Sequence, residues 1–107
     1  MIHASIKIRV PNDKVAAVSA ILSPIAESIR RLNGCIESGL YQDLSDPSRI
    51  LYEEHWESDN HLDNHLASER YRDVLMAMEL ASEMPVVRFH KISESSSMDR
   101  ISQVREN

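Results

Sequence analysis

Apolar and polar residues alternate at the start of the chain. Ile2, Ala4, Ile6, Ile8 and Val10 share one side, and His3, Ser5, Lys7 and Arg9 share the other. A period of two predicts a strand with one buried face. Pro11 ends it, and Asn12 or Asp13 is placed to cap the next element. The period then changes: Val15, Val18, Leu22, Ile25, Ile29 and Leu32 recur at steps of three and four. That spacing predicts an amphipathic helix with one buried stripe. Pro24 lies inside it and removes a backbone donor, which predicts a kink. Asn33-Gly34 supplies a left-handed stop.

Residues 35–44 (CIESGLYQDL) and 49–57 (RILYEEHWE) read as two further strands. The link SDPS is short and turn-forming, so the two should pair as a hairpin. Ser58 is placed to cap a second helical region with Leu62 and Leu66 on one face. Ser68 reads as another cap, followed by Tyr71, Leu75 and Met78 at helical spacing. Two helical pieces with a bend near Ser68 are expected. Pro85 closes them, and Val86 to Ile92 reads as a fourth strand. The order β-α-β-β-α-β, with right-handed crossovers, predicts an α+β, ferredoxin-like sheet carrying its helices on one face. Residues 1–93 would form this domain.

The remaining 94–107 segment is polar, so it is expected to be flexible. Met98, Ile101 and Val104 are nevertheless spaced as on a helix that could dock on a partner. Both parities of the strands carry apolar residues: Ile50, Tyr52 and Trp56 on one side of the third strand, Leu51 on the other. A bare, partly apolar sheet face is a reason to form a homodimer.

Composition narrows the function classes. The chain has 107 residues, 42% hydrophobic and 27% charged, which suits one globular domain. No run approaches the roughly 18 apolar residues of a membrane span, and the alternating N-terminus lacks the apolar core of a signal peptide. With one cysteine, Cys35, no internal disulfide is possible, and a cytoplasmic location is expected. A net charge of −5 argues against nucleic-acid binding. Arg30 and Arg31 at a helix end read as complements of its dipole. With Gly34 and Gly39 the only glycines, there is no Gly-rich phosphate or flavin loop. Cys35 shows no sign of activation and reads as a small hydrophobe.

The chemistry concentrates in Leu51–Ser68, LYEEHWESDNHLDNHLAS, which holds three of the five histidines and the only tryptophan. His61 and His65 are four apart and share a helix face. The metalloprotease pattern, however, needs a Glu directly after the first His, where this chain has Leu62. A third ligand would have to come from Glu57 or Glu54, and no metal is expected. On the third strand, Tyr52, Glu54 and Trp56 share one face and Glu53, His55 and Glu57 the other. If the helix folds back over the sheet, His65 hangs over Glu54 or Trp56, where an imidazole can take a proton from a phenol or enol. The competing reading is a packed histidine bonded to a strand residue. Tyr71 sits at core spacing and needs a partner for its hydroxyl. Arg88 shares a parity with His90; a cavity wall and an interface ion pair are its two readings.

Tyr52–Ser68 resembles the antibiotic biosynthesis monooxygenase family. The shared pattern is a strand ending in E-x-W-E-S (Glu54, Trp56, Glu57, Ser58), then H-L-x-x-H-L (His61, Leu62, His65, Leu66) and a closing Ser68. Gly34-Cys35 resembles the G-C that opens the second strand in the small quinol monooxygenases. The resemblance covers about residues 2–92 in element order and is dense over 50–72. It implies a dimeric α+β barrel and a cofactor-independent monooxygenase that oxidises a quinol-, anthrone- or phenol-like aromatic with O2.

In that frame His65 would be the base or its orienting partner, and Glu54 would orient a neighbour or itself act as base. Trp56, Tyr71, Tyr52 and Arg88 would contact substrate. The chain departs from the pattern at Arg70, where relatives often carry a histidine. It also has Leu75 where the haem-degrading branch has its iron-binding histidine, so haem degradation is not expected. Two alternatives stay open: a non-catalytic dimeric binding or stress-response module, and a non-oxidative isomerase using the same base.

Overall fold

A computed structural model describes residues 1–106. Its elements are β1 (Ile2–Arg9), a 3-10 turn (Asn12–Lys14), α1 (Val15–Ile29), β2 (Cys35–Gln42), β3 (Arg49–Trp56), α2 (Asp59–Leu66), α3 (Tyr71–Met78), β4 (Val86–Lys91) and α4 (Met98–Arg105). The sheet is antiparallel throughout, in the order β2-β3-β1-β4. This is the βαββαβ order expected, with the second helical region in two pieces. Among the described residues no helix is long and apolar enough to cross a membrane.

Register follows from the alternation. Ile2, Ala4, Ile6 and Ile8 stand opposite Trp56, Glu54, Tyr52 and Ile50, and all eight are buried. A one-residue slip would turn this whole set to the wrong face, so the pattern fixes the pairing. Onto this face α1 lays Val18, Leu22, Ile25, Ala26 and Ile29. Each fully buried aliphatic side chain contributes about 1.5–3 kcal/mol relative to exposure.

The helix runs through Pro24, whose ring is exposed. It ends earlier than the spacing suggests, and Leu32 packs on the core from the turn beyond. Gly34 there has φ +87°, the left-handed stop expected. Neither Asn12 nor Asp13 caps α1 with its side chain; the entering turn is closed by Lys14 N–H donating to the Pro11 carbonyl at 2.8 Å.

Two further expectations are corrected. The buried stripe of α3 is Tyr71, Val74 and Ala77, while Leu75 is half exposed, because the short helix faces α1 along its i, i+3 row. Ser68 does not cap α3 with its side chain; its hydroxyl donates to the His65 carbonyl at 2.6 Å and its own carbonyl receives Tyr71 N–H. The break between the two helical pieces is where it was expected.

The helices leave much of the sheet uncovered. The far face carries His3, Lys7, Leu51, Tyr41, Arg88 and His90. Strand β4 is exposed along its whole length, including Val87 and Phe89 on the helix side. In the tail, α4 forms but has no buried residue, so Met98, Ile101 and Val104 lie in the open. The last residue of the 94–107 segment lies outside the described residues.

Candidate active site

Strand β3 ends in a turn that Ser58 converts into the start of α2. Its hydroxyl accepts from His61 N–H, as a cap should. The reversal brings α2 back over β3 and drops His65 onto Glu54. Both are 2% exposed, and His65 Nε2 lies 2.8 Å from Glu54 Oε2. The same carboxylate receives Tyr52 O–H at 2.6 Å and Trp56 Nε1–H at 2.9 Å. Tyr52, Glu54 and Trp56 are alternate residues of one strand, so their common parity is what lets one carboxylate bind both neighbours.

The pattern of donors assigns the proton on His65. Trp56 and Tyr52 donate to Glu54, and a carboxylate is an acceptor only. Nε2 therefore carries a proton, and in the neutral imidazole Nδ1 is the nitrogen with the lone pair. Nδ1 is buried and has no hydrogen-bond partner among the described residues. The His65 ring is fixed on both sides. Trp56 stacks on it with centroids 5.0 Å apart, and Tyr71 meets it edge-on at 5.3 Å.

Burial beside the Glu54 charge acts on the neighbouring acids. Loss of water is the larger cause and the carboxylate the second; together they push the Tyr71 phenol up to about 12 and the Tyr52 phenol further above its ordinary range. Both stay protonated at neutral pH, and Tyr52 donates its proton to Glu54. Cys35 is half-buried, and burial, then Glu54, raises its thiol, consistent with an unreactive side chain.

Two spaces flank this cluster. A cavity of about 320 Å³ is lined by His65 with Leu32 and Trp56 as its apolar wall and Asn33, His61, Asn64 and Arg70 as its polar one. That volume is within the usual range of small-molecule sites. On the other side, a void of about 10 Å³ lies between Ala4, Tyr52, Glu54, Tyr71 and Phe89, too small for a ring. A larger cavity of about 470 Å³ lies at the far end of the sheet among Lys7, Arg9, Arg49, Tyr41 and Met84; it contains no imidazole and shares no residue with the cluster.

The expected site residues divide accordingly. Glu54, His65, Tyr52, Trp56 and Tyr71 are brought together, but only Trp56 and His65 line the 320 Å³ cavity. The Tyr52 hydroxyl is occupied by Glu54. Arg88 is opposite Ser5 in the register, on the uncovered face, and is exposed. The strand pleat thus separates it from the cluster.

His61 is not free in solvent: its Nδ1 is 2.7 Å from Ser58 Oγ, and its ring covers Gly34 so closely that a Cβ there would lie 2.2 Å from it. Asn33 and Asn64 were missed as wall residues, whereas Arg70 stands at the position where relatives often carry a histidine. Asn64 had a signal, because His61, Asn64 and His65 are i, i+3 and i+4 on one helix face. Asn33 had none beyond its place before the glycine.

The family model described as antibiotic biosynthesis monooxygenase matches residues 1–75. Among solved structures, a Deinococcus radiodurans protein named as a candidate antibiotic biosynthesis monooxygenase is 21% identical with a TM-score of 0.81, covering 92% of this chain and 98% of that one. Rv0793 from Mycobacterium tuberculosis is 21% identical, TM-score 0.79, with 90% and 98% covered. A conserved Methanosarcina mazei protein is 23% identical, TM-score 0.77, with 84% and 90% covered. At these identities the structures speak for the fold. No protein with a curated description matches the chain significantly.

Proposed function

The chain belongs to the antibiotic biosynthesis monooxygenase family, and we propose that it oxidises a small electron-rich aromatic, a quinol, anthrone or phenol, with O2 and without a cofactor. The observation that carries this reading is the buried His65, held through Nε2 by Glu54, its Nδ1 unpartnered, lining a cavity of ring-accommodating size. In the proposed reaction Nδ1 takes a proton from the substrate, and the Glu54 carboxylate stabilises the imidazolium that forms. The substrate anion then passes an electron to O2, and the resulting pair joins as a C–O bond. The imidazolium returns its proton to the peroxide, which breaks down to a carbonyl. The product gains one oxygen atom and loses two hydrogens, which leave with the second oxygen as water, so no external reductant is required. Trp56 would stack on the ring, and Arg70 would face its oxygen substituents.

The uncovered sheet face, with Leu51 and Tyr41, and the apolar stripe of α4 support a second proposal: two copies pair through these surfaces. A non-catalytic binding module is the competing reading, favoured by the tight packing around Glu54, where only about 10 Å³ is open. Oxygen uptake over a panel of hydroquinones, naphthoquinols and anthrones, with autoxidation subtracted, tests the reaction. Saturable uptake with a product one oxygen heavier and two hydrogens lighter is expected. Saturable ligand binding with no uptake would favour the module, and anaerobic rearrangement would favour an isomerase.

A further inference from the structure

Three of the five histidines play no part in the cavity, and the sheet brings all three together on its uncovered face. His3 on β1 stands opposite His55 on β3 and opposite His90 on β4. The His3 and His55 rings meet at 4.5 Å, and His90 stacks on His3 at 6.4 Å, within 17° of parallel. Glu53, two residues before His55 on the same face, has its Oε2 3.0 Å from His3 Nε2. The potential ligand atoms of His3, Glu53 and His55 lie within 4.8 Å of one another, and all three side chains are half-buried.

We propose that His3, His55 and Glu53 form a binding site for a zinc-class transition-metal ion. Imidazole nitrogens with one carboxylate suit Zn2+, Cu2+ or Ni2+ and not Mg2+ or Ca2+, which take oxygen ligands. Two donors on one tetrahedral Zn2+, bound at roughly 2.0–2.1 Å, are about 3.4 Å apart. The ligands therefore need to close by little more than 1 Å, a side-chain rotation that leaves the strands in place. The backbone does the positioning: adjacent strands fix the Cβ separation of directly opposed residues at about 4.5–5.5 Å. Glu37 is opposite His55 in the register and adds negative charge to the same face. The site is on the side of β3 away from Glu54, so it is independent of the oxygenase reading; it lies on the sheet face proposed to meet a second copy, where it would sit between the two sheets.

The test is a titration of the full chain, free of any histidine tag, with ZnCl2 against a chromophoric zinc indicator. One ion per chain is expected. His3→Gln and His55→Gln should each weaken binding at least about tenfold, a loss typical of damaged metal shells. Glu53→Gln should weaken it by a smaller factor, and His61→Gln, on the other side of the sheet, should leave it unchanged. Circular dichroism checks that each variant is folded. No saturable binding, or affinities equal to wild type in both folded His3 and His55 variants, would overturn the proposal, as would loss of binding in the His61 variant alone.

Discussion

Glu53 and Glu54 are adjacent in sequence, and each is paired with a histidine, yet the two pairs inhabit different media. Glu54 and His65 are 2.8 Å apart with side chains 2% and 1% exposed. Glu53 and His3 are 3.0 Å apart with side chains 20% and 25% exposed. Distance alone does not distinguish them; water does. On the covered face the low dielectric strengthens every interaction, and an unmade hydrogen bond is costly, so Tyr52, Trp56 and His65 all converge on one carboxylate. On the open face of the single chain water screens the pair and leaves both groups free to exchange partners. The first arrangement suits a fixed acid-base pair, and the second suits a site that a cation can reorganise.

The largest expected consequence is on the covered side. His65→Ala, checked to be folded, should lower turnover by about 10²–10⁴-fold, the usual contribution of a general base. Turnover equal to wild type would remove His65 from the mechanism.

Next is the matched pair Glu54→Gln and Glu53→Gln. Glutamine at 54 offers an amide donor towards His65, which moves the imidazole proton to Nδ1 and removes the proposed basic lone pair. Turnover should fall at least about tenfold, and urea unfolding should report a loss of about 1–3 kcal/mol for the disrupted buried network. Glutamine at 53 should cost less than about 1 kcal/mol, as an exposed pair does. Equal losses at the two positions would break the distinction between the faces.

The two glycines sharpen the same contrast. At Gly34, φ is +87° and a Cβ would meet the His61 ring at 2.2 Å, so Gly34→Ala should destabilise by about 1–3 kcal/mol. At Gly39 the added Cβ would meet only the outer part of Tyr41, which is 46% exposed and can swing away. Gly39→Ala should fall within about 0.5 kcal/mol.

The smallest effect is invisible near neutrality. Burial raises the Tyr71 phenol to about 12 from an ordinary value of 10.0. The folded chain then holds that proton more tightly than the unfolded chain does, so stability is intact below pH 10 and falls as pH climbs towards 12. An absorbance titration of Tyr41→Phe, which leaves Tyr52 and Tyr71, should show no phenolate before the alkaline unfolding range. Phenolate appearing near pH 10 in the folded state would mean that the covered face is wetter than its burial implies.

Much of this was legible in the chain. Period-two alternation in β1 gave both its strand character and its buried side, whereas the register of β1 against β3 came only with the sheet. Ser58 announced the start of α2, and Gly34 the end of the turn after α1. The i, i+4 spacing of His61 and His65, beside the alternation of Tyr52, Glu54 and Trp56, pointed to His65 over the strand. These are local rules, because a strand's pleat and a helix's turn convert spacing directly into direction. Arg88 was left between a cavity wall and an interface for want of a long-range fact: its parity could be read, but which parity of β4 faces the helices depends on pairing with β1.

The sequence by itself therefore determined the elements, the buried side of β1, and the presence of an acid and an imidazole at the junction of β3 and α2. Tertiary structure alone decided that Glu54 receives three donors and that the open space lies beside His61 and Arg70. It alone brought His3, His55 and His90 into one row. Those three histidines are on strands far apart in the chain, where no spacing rule connects them. Backbone pairing across the sheet is what sets them side by side, and the same pleat that buries Glu54 turns Glu53 outward to meet them.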